Sequence, residues 1–518
     1  MTEQISILII AVFFFFFSRT LIRILNKYDY GVDLHYHFYN ISLIRQNGNK
    51  LVKSIQRTKF GTNNSYPFFF HFLLSFVKEE KLKTIEKIFA PFLDSIVFFL
   101  VGILFIHQIR ESNINYFENN FFLFLLTILF CPLLNEYNPA NFRNFHANPR
   151  IFSQFIFSIF VLVYILETNL SANYIIFFLV LLITILSITS KFSNQLLVFL
   201  TISLPFFSEY KIPLVILMGY LISFIIFRKN FINILIGQIK HSFWWYKYYL
   251  PQYIEVHRNS SFSIFFYLKK FTIKNFIPSF FSSDLFLIKI IRSHILIFPI
   301  IFCYINNFEH IKYNQPIIFS LSKILLSLYL ISIVVYQKRI TFLGEYYRYI
   351  EFFIFFEIYI FFSLGTYLNQ YTIISFSFVY ILIGIFNYLN SIKKNLNQNN
   401  KSKWQEVKNG LKLIDKKKNL IYCLSNLNWM VLYYSQNICL PYFAVNMDIK
   451  KFREKRFKDL YGNKNLKPTK KFEYLKKKYL ITHVIAYKDD FKIYNNLFLN
   501  DYKKKIIFNG KYINIVEL

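Results

Sequence analysis

Apolar runs of bilayer length recur along this chain up to about residue 390 and are absent beyond it. They fall near 4–22, 89–109, 121–135, 151–167, 174–190, 195–208, 212–227, 285–305, 317–336, 350–366 and 371–389. The pattern predicts an all-α polytopic integral membrane protein with about 10–11 transmembrane helices. The runs at 195–208 and 212–227 are short and carry Pro205 and Pro213, so they read as one broken or re-entrant element. Three regions follow: the first helix with its long loop, 1–88; a multi-span body, 89–390; and a polar, lysine-rich tail, 391–518.

The loop after the first run, YDYGVDLHYHFYNISLIRQNG, has a pattern of its own. Asp33 is placed as the N-cap of a helix LHYHFYNISLIRQN, with Gly48 as its stop. Leu34, Phe38, Ile41 and Ile44 recur at helical spacing, which predicts a helix lying along the membrane surface. In SYPFFFHFLLSFV, Pro67 starts an apolar helix too short to span. The stretch RKNFINILIGQIKHSFWWYKYYL, with Trp244 and Trp245, suits the headgroup zone. The tail reads as a small C-terminal α/β domain. WQEVKNGLKLI is amphipathic, NLIYCLS and THVIAYK are strands, and NWMVLYYSQN is a helix. In KIIFNGKYINIVEL, Asn509-Gly510 fits a type I′ hairpin turn.

Composition supports the membrane class: 55% of the residues are hydrophobic and the mean hydropathy is +0.36. With 67 Phe in the chain, any single Phe carries little information. The net charge of +32 comes from loops and tail. Anionic lipid headgroups and anionic lipid-linked substrates fit it better than nucleic acid, and a solvated basic surface is the plainer reading. The four cysteines, 131, 303, 423 and 439, show no metal spacing; a pairing of Cys423 with Cys439 stays open. The first run lacks a basic start and a small-residue cleavage site, so it reads as a retained anchor.

Candidate chemistry sits beside the spans. Asp29, Asp33, His35 and His37 lie just off the first one. A carboxylate there is placed to be a base toward a lipid-borne donor; capping a helix is the alternative role of Asp33. Asp33 and His37, at i and i+4, share a helix face. His35 and His37 suit phosphate donation or aromatic anchoring, and a lone H-x-H is weak as a metal site. In EYNPANFRNFHANPR, Arg143, His146 and Arg150 are phosphate candidates or a basic turn. Lys191 and Gln195 form an i, i+4 pair at a junction of spans, lining a cavity or snorkelling. Glu345, Arg348 and Glu351 in FLGEYYRYIEF form a clamp or a ligand site, with Arg348 the choice for a lipid phosphate.

Together these segments resemble the GT-C fold membrane glycosyltransferases. The resemblance rests on GVDLHYHFYNISLIRQNG and SYPFFFHFLLSF in the first loop. It also rests on IEKIFAPFLDSI, HANPRIFSQFIF, LSITSKFSNQ and FLGEYYRYIEF, and it covers about residues 5–366. It implies a bacterial inner-membrane, multi-pass enzyme of the cell envelope that takes a sugar from a polyprenyl-phosphate donor on the extracytoplasmic side. Asp33 matches the family's catalytic acidic position, with Asp29 the alternative. The D-x-D metal motif of some members is missing and Asp489-Asp490 does not replace it, so no cofactor is implied. The partners implied are the lipid-linked donor and membrane lipids. A transporter, flippase or glycan polymerase, or a non-catalytic membrane protein, is the rival reading. No internal repeat favours a transporter.

Overall fold

The computed structural model describes residues 2–25, 31–52, 54–55, 57, 62–112, 115–131, 147–170, 173–244, 286–337, 340, 343, 346–397, 401–414, 419–423, 427–440, 476–488 and 506–518. In chain order the first elements are α1 (Thr2–Leu25), α2 (Gly31–Gln46), β1 (Ser54–Ile55), β2 (Thr62–Asn63), α3 (Phe69–Ser75) and α4 (Glu79–Ser112). Next come α5 (Asn115–Leu129), α6 (Pro149–Leu170), α7 (Asn173–Ser187), α8 (Lys191–Ser203) and α9 (Lys211–Trp244). The body continues through α10 (Phe286–His294), α11 (Ile297–Asn306), α12 (Phe308–Asn314), α13 (Pro316–Tyr336), α14 (Tyr347–Ile350), α15 (Ile354–Ser363) and α16 (Gln370–Asn397). The tail holds α17 (Lys401–Lys412), β3 (Leu420–Cys423), α18 (Asn428–Tyr434), β4 (Ile438–Leu440), β5 (His483–Tyr487), β6 (Ile506–Asn509) and β7 (Ile513–Glu517).

This is a polytopic membrane protein with a small α/β region near its C-terminus. Among the described residues, seven helical segments are long and apolar enough to cross a membrane. They are Thr2–Leu21, Glu79–Arg110, Pro149–Glu167, Lys211–Phe243, Pro316–Tyr336, Tyr347–Tyr367 and Gln370–Leu389. Tyr116–Leu129, Tyr174–Ser187 and Ile297–Asn306 are shorter apolar helices. The run expected at 195–208 is α8 followed by a 3-10 turn, Leu204–Phe207, where Pro205 removes a backbone donor and Ser208 turns left-handed at φ 55°.

By packing, the chain divides into two units. The first comprises Met1–Asn26, Lys83–Phe231 and Tyr249–Leu396; the second comprises Lys27–Leu82, Ile232–Tyr248 and Asn397–Leu518.

In the first unit, Tyr347–Tyr367 is the central segment, with 89% of its most apolar window buried. α1 shows two faces: Leu8 and Phe15 are buried, while Phe13, Phe14 and Phe17 are more than half exposed and suit lipid. Gly102 on α4 lets α1 approach, because a Cβ there would strike Leu8. The end of α1 is held by a buried bidentate ion pair. Arg23 Nη2 lies 2.5 and 2.6 Å from the two Glu86 oxygens, and Arg23 Nε donates to Oε1 at 3.1 Å. His294 Nδ1 lies 2.8 Å from Glu357 Oε2 on the central segment.

The second unit is built on a five-stranded sheet of order β4-β3-β5-β7-β6. β4, β3 and β5 run parallel; β5-β7 and β7-β6 are antiparallel. Its core takes Tyr36, Tyr39 and Leu43 from α2, Val407 and Leu411 from α17, Met430 and Val431 from α18, and Ile421, Ile485, Ile513 and Ile515 from the strands.

The α2 helix departs from the surface-lying expectation. Every residue from Leu34 to Ile41 is buried, polar ones included. Its apolar stripe is one of several faces, because α3 and α18 pack on it as well. Its start is also earlier than expected: Gly31 opens it, so Asp33 stands in the first turn and not at the cap. Its end is as expected, with Gly48 at φ +67° and Asn49 N–H donating to Ile44 C=O at 2.9 Å. The hairpin turn differs too. Asn509 and Gly510 keep negative φ, which excludes type I′. The turn is instead closed by Gly510 N–H to Ile513 C=O at 2.9 Å. Glu406 on α17 accepts from the N–H groups of Lys511, Tyr512 and Ile513 at 2.9, 2.8 and 3.3 Å.

Two outcomes follow for stability. Glu86→Leu strands the buried Arg23 charge and is expected to cost about 3–5 kcal/mol, with Arg23→Met/Glu86→Leu recovering most of it. Thermal melts in detergent measure both, and a single variant that melts like wild type would refute the pair's importance. Glu406→Ala is expected to cost about 1–2 kcal/mol and to speed proteolysis of the 506–517 hairpin.

Candidate functional site

In the first unit, α6 and α8 meet near their N-termini. Ser153 Oγ and Ser190 Oγ lie 3.0 Å apart. Ser190 Oγ accepts from Ser193 N–H at 2.9 Å, and Ser193 Oγ accepts from Ser190 N–H at 3.2 Å. This reciprocal cap fixes the first turns of α8 and with them Lys191, Phe192 and Gln195. Asn148 Oδ1 accepts from Ile151 N–H at 3.0 Å, which fixes the turn bearing Arg150. α14 brings Arg348 to the head of the central segment.

These elements gather cations around one ring. The Arg348 guanidinium lies 4.8 Å from the Phe192 centroid and that of Arg150 lies 6.0 Å from it. Lys191 is the adjacent residue and feels the Arg348 charge. Lys191 lies outside every helix long enough to span. Burial first, and Arg348 second, push its ammonium down to about 7. The ring faces offset part of the cost of assembling like charges. Tyr349 Oη donates to Leu343 C=O at 2.9 Å and lies 3.3 Å from Gln195 Oε1, so Gln195 is held against the same segment.

Gln154 is a residue that sequence reasoning passed over. It is 2% exposed, and neither atom of its amide has a hydrogen-bond partner among the described residues. Arg150, Gln154 and Phe157 follow i, i+4, i+7 on α6, and Phe157 packs edge-on against Phe352 at 5.7 Å. That face of α6 therefore looks toward the segment carrying Arg348 and Glu351. Phe192 was passed over too, hidden among the other phenylalanines.

In the second unit, α2 brings its histidines into an aromatic cluster. His37 Nδ1 lies 2.9 Å from His71 Nε2. Burial pushes His71 down to about 3, so it is neutral, and its ring N–H donates to Pro67 C=O. His71 Nε2 is then the acceptor and His37 Nδ1–H the donor. His35 Nε2 lies 3.2 Å from Tyr434 Oη. Tyr36 packs on Trp429 with centroids 4.6 Å apart. Arg45 donates to the carbonyls of Ser75 and Val77 and so fastens α2 to the end of α3. Arg57 donates to the carbonyls of Leu432 and Ser435, satisfying the end of α18.

Of the residues singled out in the sequence, Arg150, Lys191, Gln195 and Arg348 converge in the first unit. His37 lies in the second, as does Asp33 in the first turn of α2. Asp29, Arg143, His146, Glu345, Asp489 and Asp490 lie outside the described residues. Among the described residues no three His, Cys, Asp or Glu side chains converge as a metal site requires.

No protein-family model matches this chain, and no curated protein does. Solved structures match its fold. The oligosaccharyltransferase AglB of Archaeoglobus fulgidus, in complex with an inhibitory peptide and a dolichol-phosphate, has a TM-score of 0.55 at 11% identity, over 94% of this chain and 69% of that one. The oligosaccharyltransferase of the same organism, tethered to an acceptor peptide with the NVT sequon, has a TM-score of 0.53 at 12% identity, over 94% and 69%. Its complex with Zn and sulfate has a TM-score of 0.53 at 12% identity, over 93% and 67%. At such identities the likeness is one of architecture: this chain has the GT-C fold of the membrane oligosaccharyltransferases.

Proposed function

We propose that this protein is a membrane glycosyltransferase. It transfers a sugar from a polyprenyl-phosphate donor to a glycan, lipid or protein acceptor on the outer face of the bacterial inner membrane. The observation that carries this reading is the gathering of Arg150, Lys191 and Arg348 around Phe192 in a chain of this fold. Three cations beside a bilayer suit the phosphate of a lipid-linked substrate, and AglB is a protein whose structure holds a dolichol-phosphate.

In this mechanism the acceptor loses a proton to Asp33, or to Asp29, as it attacks the anomeric carbon. The bond from that carbon to the phosphate oxygen breaks, and the lipid phosphate leaves with the electron pair. Arg150, Lys191 and Arg348 stabilise the charge that develops on the leaving oxygen. The amides of Gln154 and Gln195 supply donors and acceptors for sugar or phosphate oxygens.

Surface-glycan composition in a deletion strain tests this. Wild type is expected to restore the missing sugar. Asp33→Asn and Arg348→Met, at equal protein levels, are expected to lose at least about 100-fold in transfer. If the double variant Asp29→Asn/Asp33→Asn restores the glycan fully, the base is neither residue, and transport or scaffolding takes precedence.

Lys191 gives a pH signature. An unfolded lysine titrates near about 10.4, and here Lys191 titrates at about 7. Between these values the unfolded chain holds a proton that the folded chain lacks, so this residue makes stability climb with pH. Below about 7 the fold bears the whole cost of the buried ammonium. Lys191→Met is therefore expected to raise the melting temperature more at pH 6 than at pH 9. A bound phosphate reverses the preference and draws a proton onto Lys191. Affinity for polyprenyl-phosphate is expected to fall from pH 6 to pH 9 in wild type and to change less in Lys191→Met, measured by equilibrium binding in nanodiscs.

A further inference from the structure

β3 and β4 are neighbouring parallel strands, with Ile421 opposite Cys439. Cys423 lies two residues past Ile421 and so points to the same face. Its Sγ is 3.5 Å from Cys439 Sγ, and both side chains are fully buried. This is van der Waals contact; because the two residues are offset by two in the strand register, closing it to a bond of about 2.05 Å also draws the ends of β3 and β4 together. The segment between the two cysteines forms α18. That helix carries Trp429 and Tyr434, which meet Tyr36 and His35 of α2. Cys131 and Cys303 belong to the other unit, so the two tail cysteines are each other's natural partners.

We propose that Cys423 and Cys439 are joined as a disulfide in the mature protein. The inference rests on the proposed function: α2, which bears the proposed base for transfer on the outer face, shares one unit and one core with the tail, which puts the two cysteines on the oxidising side. In forming the bond the two thiols give up two protons. Two electrons pass to the disulfide of a thiol-oxidising enzyme, which becomes a dithiol. Burial raises the Cys423 thiol well above its ordinary value, so in the finished core it stays protonated and unreactive. The bond therefore forms before the core closes and is then shielded from exchange. It ties the edge strand β4 and the helix α18 to β3, and through α18 it steadies α2, the helix that bears Asp33.

Counting thiols tests it. The protein is taken from its native membranes under acid quench, unfolded in SDS and labelled with maleimide-polyethylene glycol before and after reduction. Of the four cysteines, two adducts are expected before reduction, on Cys131 and Cys303, and four after it. Cys423→Ser and Cys439→Ser are each expected to show three adducts without reduction. Four adducts on unreduced wild type overturn the proposal. One adduct on either unreduced single variant places the bond elsewhere and also overturns it. The labelling is read in unfolded protein, so a variant that folds poorly still reports. It reads sulfur and not glycan: a failed count with an intact glycan phenotype removes the disulfide alone, and an intact count with no glycan phenotype removes the enzymatic reading.

Discussion

A guanidinium and a carboxylate shut away from solvent hold the point at which the chain leaves the first helix and the point at which it returns to the body. Arg23 is fully buried and Glu86 is 3% exposed. Neither charge is tolerable alone in such surroundings. The pair thus joins the last turn of α1 to the first turns of α4 within the first unit. The same logic governs other charges of the body: His294 with Glu357, and Lys323 with Glu209 at 3.6 Å. Membrane interiors accept ionisable groups chiefly as such matched pairs.

The surroundings of Phe192 add an aromatic ring to the charges. There the fold gathers Arg150, Lys191 and Arg348, and one of them is driven toward neutrality by its neighbour and by burial. Such a gathering of positive groups is the feature on which the proposed phosphate site is built. Gln154 adds a buried amide with both ends unsatisfied among the described residues.

Periodicity revealed most of the architecture, because membrane helices and amphipathic strands write their pattern locally. The break at Pro205, the short helix after Pro67, the strands at 420–423 and 483–487 and the final hairpin were all visible that way. What stayed hidden depended on distant partners. β4 has three residues and no pattern to detect; it exists because β3 pairs with it. The burial of α2 comes from α18, almost four hundred residues away in the chain. The hairpin turn takes its shape from Glu406 and not from its Asn-Gly pair. At the cationic site the charged residues were legible as separate motifs, but their convergence on one phenylalanine was not, since nothing distinguishes Phe192 from its many counterparts.

The core of the second unit also sets a timetable for synthesis. It joins Tyr36, near the start of the chain, to Ile513 and Ile515, near its end, and β7 is an interior strand of the sheet. Contacts of such long range are slow to form. The helices of the body can insert and pair while the ribosome is still at work, but α2 must wait for the tail before its buried histidines and tyrosines find their shelter. Until then it presents an apolar, aromatic surface with nowhere to go, which makes this early segment, and not the membrane body, the part of the nascent protein most exposed to aggregation and to quality control.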